Sequence, residues 1–387
     1  MSFNLKYDQE RIRKYHYFML LSLIQKYKKI SRSQLARLTK MSNTSVGKIV
    51  KELINDELVV EVGTTEGEVG RKAKLLEINP NGSYIIGVEL DRSGIQIAVV
   101  TLSGEIMAKS QMNFDTTKTP YETLEETATA IKKLIEQSEF PLGEKIIAIG
   151  VSIPGLVTWP EGKVLMVPQF HWNDIDIKGY LEEKLDYVVY VDNHVRTVIL
   201  AESLFGSTIN TQDSVCIYIG SGVGGAAILN GEVVRGHSNM LGEIGHMTID
   251  PNGAMCDCGR LGCLQTFLCS SDIEKQAQKP INEVFEAYKR NEDWALMLLN
   301  KARNYLGMAI SNIVCIYNPE VVLLAGPMVE EFPGLFDNLE KEINTYVWHP
   351  LEDSFSLNYP IIGKDSGVIG ASALVLNEFL RFSNDDI

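Results

Sequence analysis

Between Glu243 and Gln265 the chain reads EIGHMTIDPNGAMCDCGRLGCLQ, and His246, Cys256, Cys258 and Cys263 in it are the residues whose types and spacing most clearly imply chemistry. Three thiolates and an imidazole are the ligand set of closed, tetrahedral structural zinc, which leaves no coordination position for an activated water. One structural Zn2+ per chain is therefore expected, building a site without performing a reaction. Gly259 and Gly262 let the backbone turn sharply between the second and third thiolates, since glycine accepts positive φ at little cost.

The chain that must position this loop has 387 residues, enough for two or three domains. Cys216, Cys269 and Cys315 lie in apolar or mixed surroundings and read as packing residues, so no disulfide framework is needed. No run of about eighteen apolar residues is present, which excludes a membrane-spanning helix. The N-terminus mixes both charge signs and lacks a signal-peptide pattern, so a cytoplasmic location is expected. Charge is distributed unevenly. Residues 1–80 hold 15 Lys and Arg against 9 Asp and Glu, although the whole chain has a net charge of −14. A basic module on an acidic body suits a DNA-binding head joined to a regulatory domain, because only the head must neutralise phosphates.

Within the basic module, Phe18, Leu21, Leu23 and Ile24 are spaced for an amphipathic first helix. In SRSQLARL, Ser31 and Gln34 have capping-box positions, and Leu35 and Leu38 are expected to form the buried face of a short helix. After the turn TKMS, Ser42 can cap a third helix whose Val46, Ile49, Val50 and Leu53 face inward. Two short helices and a tight turn form a helix-turn-helix. With Ser42 at the cap, the outward residues Asn43, Thr44, Ser45, Lys48 and Lys51 are rich in donors suited to base edges and phosphates. The stretches LVVEVG and KAKLLEIN then read as two strands of a wing, with Arg71 and Lys72 in the turn between them.

From Tyr84 apolar strands alternate with helices, the signature of an α/β body. Helices are expected near Tyr121 to Gln137, Trp294 to Tyr317 and Asp365 to Phe382, and the body is long enough for two lobes. The segments IGVSIPGLV, GSGVGGAAILNG, GEIGH and CDCGRLGCL, in that order behind a winged helix-turn-helix, resemble the ROK family of repressors and sugar kinases. That resemblance implies an actin-like, hexokinase-like pair of lobes with a monosaccharide in the cleft and structural zinc beside it. It also implies homodimers or homotetramers on double-stranded operator DNA. The expected division is a DNA-binding domain at 1–80, a first lobe at 81–191 plus 366–387, and a second lobe at 192–365.

Family members with the N-terminal module resemble repressors responding to xylose, N-acetylglucosamine or glucose, whereas members without it are mostly kinases. Phosphoryl transfer needs a turn that cradles phosphates, a metal-binding carboxylate and a base beside the attacking hydroxyl. The kinase loop resembling DxGGT is here GVELDRSGIQ, with Glu89 at the aspartate place and Asp91 and Arg92 where two glycines are expected. In VDNHVRTVILAE, Asn193 matches the family pattern, while His194 stands at the catalytic aspartate and Arg196 at the next asparagine. Histidine could act as a base, but with the first loop also altered no catalytic residue is expected. The turn beginning at Gly220 is read as mainly structural. The resemblance implies Gln169, Asn193, His194, Glu243, His246 and Gln265 as the inducer contacts, with Gln169 and Gln265 departing from the family's asparagine and glutamate. The reading is a sugar-responsive repressor, and the alternative is an ATP-dependent sugar kinase carrying a DNA-binding module.

Overall fold

The computed structural model describes residues 5–64, 73–138 and 143–381. The chain divides into two compact units, Met1–Phe205 with Lys364–Ile387, and Gly206–Gly363. The first unit begins with α1 (Leu5–Tyr27), β1 (Ile30–Ser31), α2 (Arg32–Thr39) and α3 (Asn43–Asn55), followed by β2 (Val59–Thr64) and β3 (Lys74–Ile78). β3 pairs antiparallel with both β1 and β2, giving the small sheet of a winged helix.

The caps form as the sequence implies. Ser31 Oγ accepts from Gln34 N at 3.3 Å while Gln34 Oε1 accepts from Ser31 N at 2.9 Å, and Ser42 Oγ accepts from Ser45 N at 3.1 Å. Each satisfies amide groups that a helix start leaves without partners. Val46, Ile49, Val50 and Leu53 are buried. Leu38 is not: it is 45% exposed, and Ala36 joins Leu35 in the core instead. At about 100° per residue, Leu38 lies about 160° around the helix from Ala36, so the two cannot share one face. The wing residues Arg71 and Lys72 fall outside the described residues.

The first unit continues with β4 (Tyr84–Asp91), β5 (Gly94–Thr101), β6 (Ile106–Met112), α4 (Pro120–Gln137) and β7 (Ile146–Ile153). A small antiparallel sheet of β8 (Leu156–Val157), β9 (Lys163–Val167) and β10 (Trp172–Asp176) follows, then α5 (Ile177–Leu185), β11 (Val189–Asn193) and α6 (His194–Phe205). The main sheet has the order β11-β7-β4-β5-β6, an antiparallel meander extended by two parallel strands.

The second unit holds β12 (Ser214–Ile219), β13 (Val223–Leu229), β14 (Glu232–Val234), α7 (Gln265–Leu268), α8 (Ser270–Ala277) and α9 (Ile281–Lys289). It is completed by α10 (Asp293–Tyr317), β15 (Val321–Ala325), α11 (Pro327–Glu331), α12 (Leu339–Ile343) and β16 (Ser356–Asn358). Its sheet, β14-β13-β12-β15-β16, repeats the first unit's plan of three antiparallel strands and two parallel ones. The chain then returns to the first unit through α13 (Ser366–Leu380).

Two expectations shift. The sequence reading began the second lobe at residue 192, but α6 belongs to the first unit, where Gly370 of α13 packs tightly on the backbone of Thr197. Cys315 is exposed, whereas Cys216 and Cys269 are buried. Among the described residues no helix is long and apolar enough to cross a membrane.

Candidate functional site

Three regions carry side chains capable of recognition or chemistry. The first is the outer face of α3, where Ser42, Asn43, Thr44, Ser45, Lys48 and Lys51 are all exposed. Lys48 and Lys51 form no ion pair among the described residues. Two other cations of the module are already engaged: Arg32 pairs with Glu61 at 2.7 Å, and Lys74 pairs with the same carboxylate. These two bonds hold the Glu61 carboxyl below its ordinary range, the Lys74 contact most strongly. Lys48 and Lys51 are thus cations available on α3, the element whose geometry suits a major groove.

The second region is the loop between β14 and α7. The candidate ligand atoms of His246, Cys256, Cys258 and Cys263 all lie within 4.8 Å of one another. Cys258 Sγ is 3.6 Å from Cys263 Sγ, and Cys256 Sγ is 3.6 Å from His246 Nδ1. A tetrahedron with arms of about 2.3 Å has edges of about 3.8 Å, so the four groups fit one four-coordinate metal. A disulfide would need sulfurs about 2 Å apart. The loop is held mainly by backbone. Thr248 bridges Cys263, Met255 bridges Leu261, and Ile249 N donates to Gly262 O at 2.8 Å. Gly262 has φ +64°, and a Cβ there would sit 1.5 Å from Asp250 O. Arg260 donates to His246 O at 2.6 Å, and its backbone and guanidinium bring the Cys258 thiol down to about 6.

The proposed sugar contacts of this unit surround the same loop. Glu243 is exposed one residue before the short turn Ile244–His246, and Gln265 Nε2 donates to Cys256 Sγ at 3.4 Å from the start of α7. Residues that sequence reasoning missed also brace it. Tyr305 on α10 donates to Asp250 Oδ2 at 2.8 Å, and Lys301 lies over the rings of Phe267 and Tyr305. No motif marks them, because α10 approaches the loop only through the tertiary fold.

The third region is a polar cluster where β4, β7, α6 and α13 meet. His194 Nδ1 lies 3.1 Å from Ser152 Oγ and 3.7 Å from Glu89 Oε1, while Gln96 Nε2 donates to Glu89 Oε2 at 3.1 Å. Ser152 Oγ is also 2.8 Å from Thr197 Oγ1. The Glu89 carboxyl rests on Gly367 in the first turn of α13, where a Cβ would lie 1.9 Å from it. Burial, with Asp91 adding to it, raises the Glu89 carboxyl from its ordinary 4.5 to about 7. Burial lowers His194 to about 4, against an opposing pull from Asp91. The resting pair is thus a carboxyl that holds its proton into the neutral range and a neutral imidazole.

Asn193 is fixed by backbone on both sides, donating to Gly155 O at 2.8 Å and accepting from Val195 N at 2.9 Å. Gln169 is half-buried in the short turn Pro168–Phe170. Asp91 Oδ1 accepts from Ser93 N at 2.9 Å and Ser93 Oγ at 2.7 Å, so its carboxylate closes the β4–β5 turn on itself. Arg196 in the first turn of α6 pairs with buried Asp192 near the end of β11 at 2.9 Å. Gln96, Ser152 and Thr197 were not singled out from sequence, since strand and helix residues of these types usually serve packing or local bonding.

Known proteins carry the same parts. Residues 85–378 match the model of the ROK family, and residues 18–60 match a winged helix-turn-helix DNA-binding model. The chain is 28% identical to the xylose repressor of Bacillus subtilis (strain 168), covering 96% of this chain and 98% of that one. It is 29% identical to the N-acetylglucosamine repressor of Escherichia coli O157:H7, over 93% of this chain and 91% of the relative. Among solved structures, a ROK family transcriptional regulator described as a homolog of the E. coli MLC protein superposes with a TM-score of 0.79. The two are 27% identical, over 96% of this chain and 97% of the other. The ROK hexokinase of Thermus thermophilus, 24% identical, has the same body fold at a TM-score of 0.66, covering 99% of its own length but 76% of this chain. With a family match running across the whole α/β body and a DNA-binding match ahead of it, this chain belongs to the ROK family.

Proposed function

We propose that the chain is a sugar-responsive transcriptional repressor that binds a pseudo-palindromic operator through α3 and its wing and is released by a monosaccharide inducer. The observation that carries this reading is the head: a capped helix-turn-helix with free lysines on its outer face precedes a body that the hexokinase matches without it. A homodimer or homotetramer in the cytoplasm would place two copies of α3 in major grooves about 34 to 36 Å apart, or a multiple of that spacing. The residues proposed to contact the inducer are Gln169, Asn193 and His194 and, beside the cysteine cluster, Glu243, His246 and Gln265. A coupling of about 1–3 kcal/mol between sugar and DNA would suffice for control.

Zn2+ is the metal best suited to the cluster, because three thiolates and an imidazole form a closed set for it. Its role here is structural: it would fix His246 and the loop carrying Glu243. Kinase chemistry is proposed to be lost. Asp91 occupies its own turn instead of leaving open backbone for phosphate, and neutral His194 stands in the place of the family's aspartate.

The deciding experiment is operator binding by purified protein across a panel of hexoses, pentoses and amino sugars, with a coupled ATP assay in parallel. Release of DNA by one sugar without ATP turnover is expected. Turnover without any sugar effect on DNA would instead favour the kinase reading, for which the glycines at Gly220 and Gly222 are the supporting feature.

A further inference from the structure

Gln25 is a polar residue on the buried face of α1, 8% exposed between the core residues Leu21 and Ile24 and the chain's next turn. Its Nε2 donates to Leu204 O at 2.9 Å, a carbonyl in the last turn of α6. The last carbonyls of a helix have no donor within it, so Gln25 supplies one from the DNA-binding module. An apolar residue could fill the same space without the desolvation cost of an amide. What an apolar residue could not do is fix one helix against the end of another, since a hydrogen bond is directional and packing is much less so.

The position of that bond matters because of what lies at the other ends of both helices. α6 starts at His194, directly after Asn193, and spans about 18 Å to the head at about 1.5 Å per residue. α1 in turn holds the end of α3: Arg13 pairs with Glu52 at 3.0 Å, and Tyr17 donates to Asp56. α13 runs beside α6 with Glu89 at its first turn, and at its far end Phe379 packs edge-on against Phe18 at 5.5 Å. The Phe18 contact can slide without being lost. The Gln25 bond cannot.

We propose that Gln25 is a positioning residue that couples the effector contacts at the start of α6 to the recognition helix, its hydrogen bond to Leu204 being the joint through which a shift of α6 moves α1 and α3. This rests on the reading of the chain as a sugar-responsive repressor.

The test uses full-length protein and whichever sugar of the hexose, pentose and amino-sugar panel, D-xylose, D-glucose and N-acetylglucosamine among them, most changes wild-type operator affinity. If none does, the repressor reading itself fails before any variant is compared. Given a wild-type response, Gln25→Met removes the donor at similar volume, and Gln25→His keeps an N–H. Sugar affinity by calorimetry and sugar-free operator affinity are expected to stay within about twofold of wild type in both. The factor by which sugar changes operator affinity should fall about fivefold or more in Gln25→Met, within the range that such couplings span, and be better retained in Gln25→His. An unchanged factor in Gln25→Met, or equal loss in both variants, overturns the proposal. So does a fall in affinity with the factor intact, which a merely structural role would give. Should Gln25→Met not fold, Gln25→Leu takes its place under the same criteria.

Discussion

The β4–β5 and β12–β13 hairpins stand at equivalent places in two sheets of one topology, yet one is closed by side chains and the other by glycine. In the first, Arg92 and Ser93 form the turn and Asp91 bonds Ser93 twice. In the second, Gly220 N donates to Gly222 O at 2.9 Å, and the strand that follows is pressed from outside. A Cβ on Gly225 would lie 3.0 Å from Ile244, and one on Gly242 would lie 1.9 Å from Gly225 O. Ile244 and Gly242 belong to the segment that carries Glu243 and His246. Gly225 of β13 thus has a packing duty to the metal loop that is independent of phosphate, whereas in the first hairpin side chains of Arg92 and Ser93 occupy the turn ahead of Gly94. Glycines in a strand-linking hairpin can therefore serve packing whether or not a phosphate is handled there.

The largest effect that bears on this contrast is expected at the metal. Cys258→Ser replaces one soft thiolate of the closed set, and thiolate zinc sites in small domains supply on the order of 10 kcal/mol. Loss of the bound metal by elemental analysis, together with loss of sugar response, is expected, with operator binding less affected. A full equivalent of metal retained by the variant would remove Cys258 from the ligand set.

Gly242→Ala tests how tightly the segment before His246 packs on β13. Gly242 has φ +111° and meets backbone, which cannot give way as a flexible side chain would. Strain of this kind costs about 1–3 kcal/mol before the clash is counted, so a loss of about 3 kcal/mol or more in urea unfolding is expected. Ser93→Ala in the equivalent hairpin removes one exposed hydrogen bond and should cost about 1 kcal/mol or less. Equal losses in the two variants would erase the distinction drawn between the hairpins.

Much of this was legible in the sequence where the signal is local. The caps at Ser31 and Ser42, the inward face of α3 and the gathering of His246, Cys256, Cys258 and Cys263 depend on residues close together in the chain, and each arises as their spacing implies. Leu38 failed because an eight-residue helix offers too short a pattern to separate one face from its neighbour. The lobe boundary at 192 failed for a different reason: α6 is assigned by its packing on α13, which lies far along the chain. The Glu89–His194 contact and the Tyr305 brace were hidden likewise, since each joins residues more than fifty positions apart.

The first unit's cluster gives a smaller but more diagnostic effect. Glu89, raised to about 7, keeps a proton when folded that it loses when unfolded, so its contribution to stability falls as pH rises from about 4.5 to about 7. His194, lowered to about 4, resists a proton that the unfolded chain takes up, so its contribution falls as pH drops from about 6.5 to about 4. The two slopes oppose each other between about 4.5 and 6.5, each bounded by about 1.4 kcal/mol per pH unit. Wild-type stability should therefore vary little in that window. Glu89→Gln should leave stability rising with pH, and His194→Asn should leave it falling. Parallel curves for wild type and both variants in urea melts would mean that the two groups do not titrate as a buried pair.

The smallest expected effect lies in the head, which shares neither constraint. Lys48 and Lys51 are exposed on α3, so truncating either removes charge without opening the core. Each phosphate neutralised by a lysine releases condensed counterion and adds about one to the slope of log affinity against log salt. Lys48→Ala should thus weaken operator binding at low salt, flatten the slope by about one and leave the order of preference among operator sequences intact. Metal content and sugar affinity should not change, because Lys48 belongs neither to the metal cluster nor to the proposed sugar contacts. A changed sequence preference would move Lys48 from a phosphate to a base edge, and an unchanged slope with unchanged affinity would take it out of the interface altogether.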